Sequence, residues 1–490
     1  MKRKAFSLIV SFVMALLFAL VFYTVVTPLG PTIGSDNAMY MTMGTALARG
    51  YAPYTEIFDH KGPLLFILQA IPQIFSGGYS TLAIFVQQVI FLFACLRLLA
   101  AIARELEVCE IAVQLPYLLL IATHVDGGNL TEEYASIFTF VGLWMILRTF
   151  GAGLPKGEKG MTVRAALLGA MAVLCFLVRA NNALVLCAMT AALAFWMILE
   201  KRFVLLGRCA AGFVAGMVIA ALPVVVWLYA NGALAASIYG SIVHNMMYAK
   251  TGSGSRMAVL LHSSYGHSAI LMAAISCLGG CAVVKKSRPL SLAMVAGAGA
   301  AGFAAFVSHK FYQHYLILGA PLAAMGAALV LRTVGAYAQK AKHLLSLGVV
   351  AVCTLYLVII GSQINGWRAL EYEGWEKFSR QAQELYALVL EEDRDEFMAY
   401  RVEPKWYVAA KALPCMRFYF LQEILAEADP IVMDEIVAEF ETNPPKWLVI
   451  YYNREFGPPY DKRVAEIFET KYEFVDARGE YQLLQLKEEP

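Results

Sequence analysis

The chain has 490 residues, of which 59% are hydrophobic and only 16% charged, with a mean hydropathy of +0.60. Soluble domains carry about 25% charged residues, so a water-soluble globular protein is excluded and an integral membrane protein is expected. A net charge of +2 leaves no bulk electrostatic attraction for nucleic acid.

Met1-Lys-Arg-Lys4 precedes an apolar run over 5–27. The run is longer than a signal-peptide core and no small-x-small cleavage pattern follows, so it reads as an uncleaved first span. Further apolar runs near the roughly 18 residues that cross a bilayer lie at 80–103, 109–126, 132–148, 163–180, 183–200, 209–230, 263–284, 289–308, 312–332 and 344–362. The expected fold is a polytopic α-helical membrane protein of about eleven spans. With the N-terminus inside, eighteen Lys and Arg of residues 1–362 fall on the inner side. Six (Arg49, Lys61, Arg179, Lys250, Arg256 and Lys310) fall on the outer side, a positive-inside bias. The expected location is a bacterial-type cytoplasmic membrane.

The segment 62–75 is apolar but only about 14 residues long, with Pro63 and Pro72 in it and Ser76-Gly77-Gly78 after it. That length suits a re-entrant or interfacial helix. If it crosses, a neighbouring pair of spans must be redrawn, which leaves the count open by about two.

Charge density divides the chain. Residues 1–362 hold 11 of the 37 Asp and Glu, and 363–490 hold the other 26. The expected organisation is a transmembrane domain over 1–362 and an extracytoplasmic α/β domain over 363–490. In the latter, 367–391 reads as an amphipathic helix, 421–440 and 461–470 as helices, and 396–402, 446–452, 472–475 and 481–486 as strands.

The first outer loop carries the most chemistry. Residues 34–50 read as a short helix capped by Ser35 or Asp36 and stopped by Gly50. Asp36, Tyr40, Met43 and Leu47 form a face for the membrane interface. Asp59-His60-Lys61-Gly62-Pro63-Leu64 follows. A carboxylate at a helix N-terminus can serve as a general base on a hydroxyl. A lysine at headgroup height can hold a lipid phosphate. Singly, an N-cap and a snorkelling anchor explain the two residues as well. Seven of the eight histidines (His60, His124, His244, His262, His267, His309 and His314) fall on the outer side, where imidazole suits acid–base and phosphate contacts.

The stretch over 36–64 resembles the first loop of the multi-span GT-C membrane glycosyltransferases, in particular the protein O-mannosyltransferase and lipid A aminoarabinose transferase group. Those proteins have an Asp or Asp-Glu pair and then a Lys-Pro-Pro-Leu-like element. Here Asp36-Asn37 and Lys61-Gly62-Pro63-Leu64 stand in their place, departures that leave the subfamily open and remove one second acid. Gly127-Gly-Asn-Leu-Thr-Glu-Glu-Tyr134 and His309-Lys-Phe-Tyr-Gln-His-Tyr315 resemble later loops of the group.

The resemblance implies a polyprenyl-phosphate sugar donor, an envelope glycan, lipid or protein acceptor, and inverting transfer at the outer leaflet. Asp36 would be the base. Lys61, His60, Arg179, Lys310 and His314 would contact donor phosphate, and Glu132, Glu133 or Asp59 would serve the acceptor or supply a second acid. A helix cap ahead of Glu133 and a helix anchor at Arg179 remain alternatives. No nucleotide-binding phosphate loop or zinc spacing is present in the sequence. No cofactor is required, although Asp36 or Glu132 could take a divalent ion. Rival readings are a flippase or transporter, a polymerase of lipid-linked sugars, and an envelope scaffold. Transporters place ionisable groups near the midplane, often in related halves, whereas here they cluster at span ends without an internal repeat.

Overall fold

The computed structural model describes residues 2–153, 160–452 and 461–488. Lys156 and Lys159, which the orientation argument counts on the inner side, lie outside the described residues. Among the described residues, nine helices are long and apolar enough to cross a membrane: Lys4–Phe22, Thr81–Glu105, Met161–Val178, Ala180–Leu199, Phe203–Ala230, Ser264–Val283, Arg288–Phe306, Gln313–Tyr337 and Gln339–Tyr386. They coincide with nine of the eleven expected spans. The other two differ in character. Ile111–Ala122 has only 12 residues, and Thr131–Phe150 has 20 but opens on Glu132 and Glu133 and ends with Arg148 in its last turn.

Lys342–Tyr386 is a single helix of 45 residues, which corrects the expectation of a span at 344–362 followed by a separate amphipathic helix. Gly361, Gly366 and Gly374 are isolated and no Pro interrupts, so the hydrogen-bond ladder continues.

Contacts divide the chain into two compact units. The first holds Met1–Leu29, Phe85–Val226 and Gly252–Trp367, and the second Gly30–Ile84, Trp227–Thr251 and Arg368–Pro490. One break between the units falls at Trp367/Arg368, and the second unit also takes in the first loop and the segment 227–251.

In the first unit, helices Met161–Val178 and Phe203–Ala230 meet through small residues. A Cβ at Gly212 would lie 2.5 Å from the Thr162 carbonyl oxygen, and one at Gly216 would meet that of Ala166. Lipid supplies no hydrophobic drive between helices, so such close packing is what joins them. Ala135, Ala172, Cys175, Ala183 and Leu186 form a buried cluster nearby.

The second unit has a four-stranded sheet in the order β1-β2-β4-β3: β1 (Phe397–Tyr400), β2 (Trp447–Tyr451), β3 (Tyr472–Arg478) and β4 (Tyr481–Leu486). β1 and β2 are parallel and the other pairs antiparallel. The expected helix over 421–440 splits at Asp429-Pro430 into Gln422–Ala428 and Ile431–Thr442, because proline has no N–H for the ladder.

Helix Ser35–Ala48 is buried from Asn37 to Ala46, so it is a core helix of this unit and not an interfacial one. Met39, Met41 and Ala46 are buried as fully as the expected membrane face, and with them Asn37, Thr42 and Thr45. Its neighbour Pro63–Ser76 has 14 residues, with Pro63 in its first turn and Gly77 left-handed at its C-cap (φ 79°). It is too short for the roughly 20 residues of a spanning helix.

Candidate functional site

The first group of charges lies in the second unit. Helix Ser35–Ala48 is capped by the backbone at Gly34, with no side-chain cap, which corrects the expectation that Ser35 or Asp36 caps it. Asp36 stands instead in the first turn, half-buried. Asp36 and Tyr40 are four residues apart and share a helix face, and the Lys61 ammonium lies 5.6 Å from the Tyr40 ring centroid.

Lys61 does not sit on an exposed rim, as the sequence suggested. It is 5% exposed, with Asp59 at 0% and His60 at 4%. Its Nζ lies 3.6 Å from Asp59 Oδ1 and 3.2 Å from His60 Nε2. An ammonium only donates, so His60 Nε2 accepts and the ring proton belongs on Nδ1, which lies 3.2 Å from Asp59 Oδ1. Burial alone would raise the Asp59 carboxyl, but Lys61 and His60 outweigh it and hold it well below the usual carboxylate range. Asp59 Oδ2 is buried without a hydrogen-bond partner among the described residues.

The main chain of this loop is held from two sides: the Tyr54 hydroxyl donates to the Lys61 carbonyl at 2.7 Å, and Asn245 Nδ2 donates to the His60 carbonyl at 2.5 Å. Tyr248 and His244 place their rings 5.0 and 6.0 Å from that of His60. Burial pushes the His244 imidazole down, with partial compensation from its bond to the Leu425 carbonyl.

A second group lies in the first unit. Arg179 follows helix Met161–Val178 in extended conformation and donates to Glu132 Oε1 at 3.0 Å and to the Tyr315 hydroxyl at 2.8 Å. The Glu132 side chain is 1% exposed, and its Oε2 has no hydrogen-bond partner among the described residues. The His314 ring packs edge-on against Tyr315 at 4.8 Å, with Nδ1 3.9 Å from Asp126 Oδ2. His124 Nδ1 meets Gln313 Oε1 at 3.1 Å.

Glu133 serves the helix start. Its Oε2 accepts from the Leu130 N–H at 3.0 Å and closes the first turn of helix Thr131–Phe150. Lys310 is half-buried, with its backbone bonded to Ser308. Thus Asp59, His60 and Lys61 are brought together, as are Glu132, Arg179 and His314 by way of Tyr315. The reading of single residues gave no role to Tyr54, Asn245 or Tyr315, and it placed Tyr40 on a membrane-facing helix face and His244 only among the outer histidines. Of these, Tyr315 was legible in the His309-to-Tyr315 element, while Asn245 carried no local signal. Among the described residues, no group of three or more His, Cys, Asp or Glu side chains is placed to hold a metal.

The chain shares its fold with solved structures at low sequence identity. It is similar over 96% of its length, and 97% of the other chain, to ArnT from Cupriavidus metallidurans bound to undecaprenyl phosphate, with a TM-score of 0.62 and 13% identity. The apo state of that protein gives 0.59 at 13% identity over the same shares. The archaeal oligosaccharyltransferase AglB from Archaeoglobus fulgidus, in complex with an inhibitory peptide and a dolichol-phosphate, gives 0.51 at 12% identity. That likeness covers 91% of this chain and 70% of the other. No protein-family model and no curated protein matches the sequence.

Proposed function

We propose that the protein is a membrane glycosyltransferase that moves a sugar from a polyprenyl-phosphate donor to an acceptor hydroxyl of the cell envelope, at the outer face of the cytoplasmic membrane. The observation that carries this reading is the likeness of fold, over 96% of the chain, to a structure holding undecaprenyl phosphate. The buried Asp59-His60-Lys61 loop supports it by supplying a cation, as a phosphate requires. The positive-inside bias supports the orientation.

In the reaction, Asp36 accepts the proton of the acceptor hydroxyl as its oxygen attacks the anomeric carbon. The bond from that carbon to the phosphate oxygen breaks, and polyprenyl phosphate leaves with the electron pair. Lys61 balances the phosphate charge, in which role the low-dielectric surroundings strengthen it. A single displacement inverts the anomeric centre.

The test is purified protein in detergent with a labelled polyprenyl-phosphate sugar. Transfer or hydrolysis releasing polyprenyl phosphate is expected, and translocation without turnover would point to a flippase instead. Asp36→Asn should keep the thermal stability and lose about 10²–10⁴-fold in turnover, the usual weight of a general base. Turnover within about threefold of the parent would remove Asp36 from the chemistry.

A further inference from the structure

We infer that Asn245 is a positioning residue for donor binding, acting through the main chain of His60 to fix where the Lys61 ammonium points. The inference rests on the proposed role of Lys61 as the donor-phosphate cation. Both protons of the Asn245 amide are committed: one goes to the His60 carbonyl at 2.5 Å and the other to the Ser241 carbonyl at 3.0 Å. The first reaches across 185 residues of sequence, and the second ties the side chain to its own helical turn.

That turn is unusual. Tyr239–His244 is π-helical and leads directly into helix Asn245–Lys250. A π-turn carries an extra residue relative to the α-helix, so in an unbroken α-helix Asn245 would sit about 100° further round the axis. Gly240 lets the turn lie against the loop it holds: a Cβ there would meet Tyr54 Cδ1 at 2.9 Å and Phe58 Cε2 at 3.2 Å. In the same peptide stretch, the Tyr54 hydroxyl holds the Lys61 carbonyl. The carbonyls of His60 and Lys61 are therefore each pinned by one side-chain donor. With the main chain fixed at both residues, the buried Lys61 stem has little freedom, and its ammonium is pre-organised for a ligand.

The experiment uses the full-length protein in detergent, titrated with undecaprenyl phosphate as the probe, alongside thermal unfolding of the same samples. Asn245→Ala should weaken binding about fivefold, the weight of one buried hydrogen bond. Asn245→Asp should weaken it further, since a carboxylate cannot donate to a carbonyl. A double-mutant cycle with Lys61→Arg gives the readout that a merely structural role would not move. If Asn245 acts through Lys61, the Asn245→Ala loss should shrink to less than about twofold in that background. Unchanged affinity in Asn245→Ala, or the same loss in both backgrounds, would overturn the inference while leaving the glycosyltransferase reading standing. A parent protein that does not bind undecaprenyl phosphate at all would overturn both.

Discussion

Lys61 and Asp59 are both sealed from solvent, 3.6 Å apart, and this changes what a substitution there means. Removing one partner of a buried ion pair leaves the other charge uncompensated and costs about 3–5 kcal/mol, whereas neutralising both is close to neutral. Lys61→Met alone should therefore lower stability and donor affinity together, which cannot separate the two roles. Lys61→Met with Asp59→Asn should recover most of the stability, by thermal unfolding, and still fail to bind undecaprenyl phosphate. Recovery of binding in the double variant would assign Lys61 to structure alone. The Asp59 carboxyl is depressed on folding, so its contribution is present above the unfolded value of about 3.9 and lost only as pH falls below it. The contribution of Asp59 should thus be constant between about pH 5 and 8.

Two short helices carry the loop that holds these charges, and their contact is tight. A Cβ at Gly44 would lie 2.6 Å from the backbone carbon of Gln69 and 2.7 Å from its carbonyl oxygen, so helix Ser35–Ala48 approaches helix Pro63–Ser76 as only glycine allows. Backbone cannot give way as a flexible side chain can. Gly44→Ala should destabilise the protein by about 1–3 kcal/mol, read by thermal unfolding, and weaken undecaprenyl phosphate binding by tilting the helix that begins at Pro63. An unchanged melting temperature would show that the two helices can part without cost. The short helix itself was legible in the sequence, because Pro63 at its start and Gly77 at its end act locally. The cap at Gly34 was not, because nothing in Ser35 or Asp36 says that their side chains would be left out of the capping bonds.

At the scale of the whole molecule, the proposed orientation rests on basic residues alone and is open to direct test. Glu441→Cys should be labelled by a membrane-impermeant maleimide in intact spheroplasts, and Lys285→Cys only after permeabilisation. Both native residues are exposed. The native Cys415 should remain silent in the folded protein, because burial, with help from Glu439, pushes its thiol up to about 12 and little thiolate exists to react. The reverse labelling pattern would invert the topology and with it the side on which transfer is proposed.

Hydropathy and span length determined by themselves that this chain crosses a membrane many times, because crossing depends on the summed apolarity of a segment and on little else. The motif over 36–64 likewise carried the likeness to glycosyltransferases before any coordinates, since Asp36, Lys61 and Pro63 are close in sequence. The burial of Lys61, the joining of Glu132 to Arg179 through a bond across 47 residues, and the hold of Asn245 on His60 were decided by the tertiary structure. Each depends on which distant segment packs where, and a pairwise contact between segments leaves no periodicity in either of them.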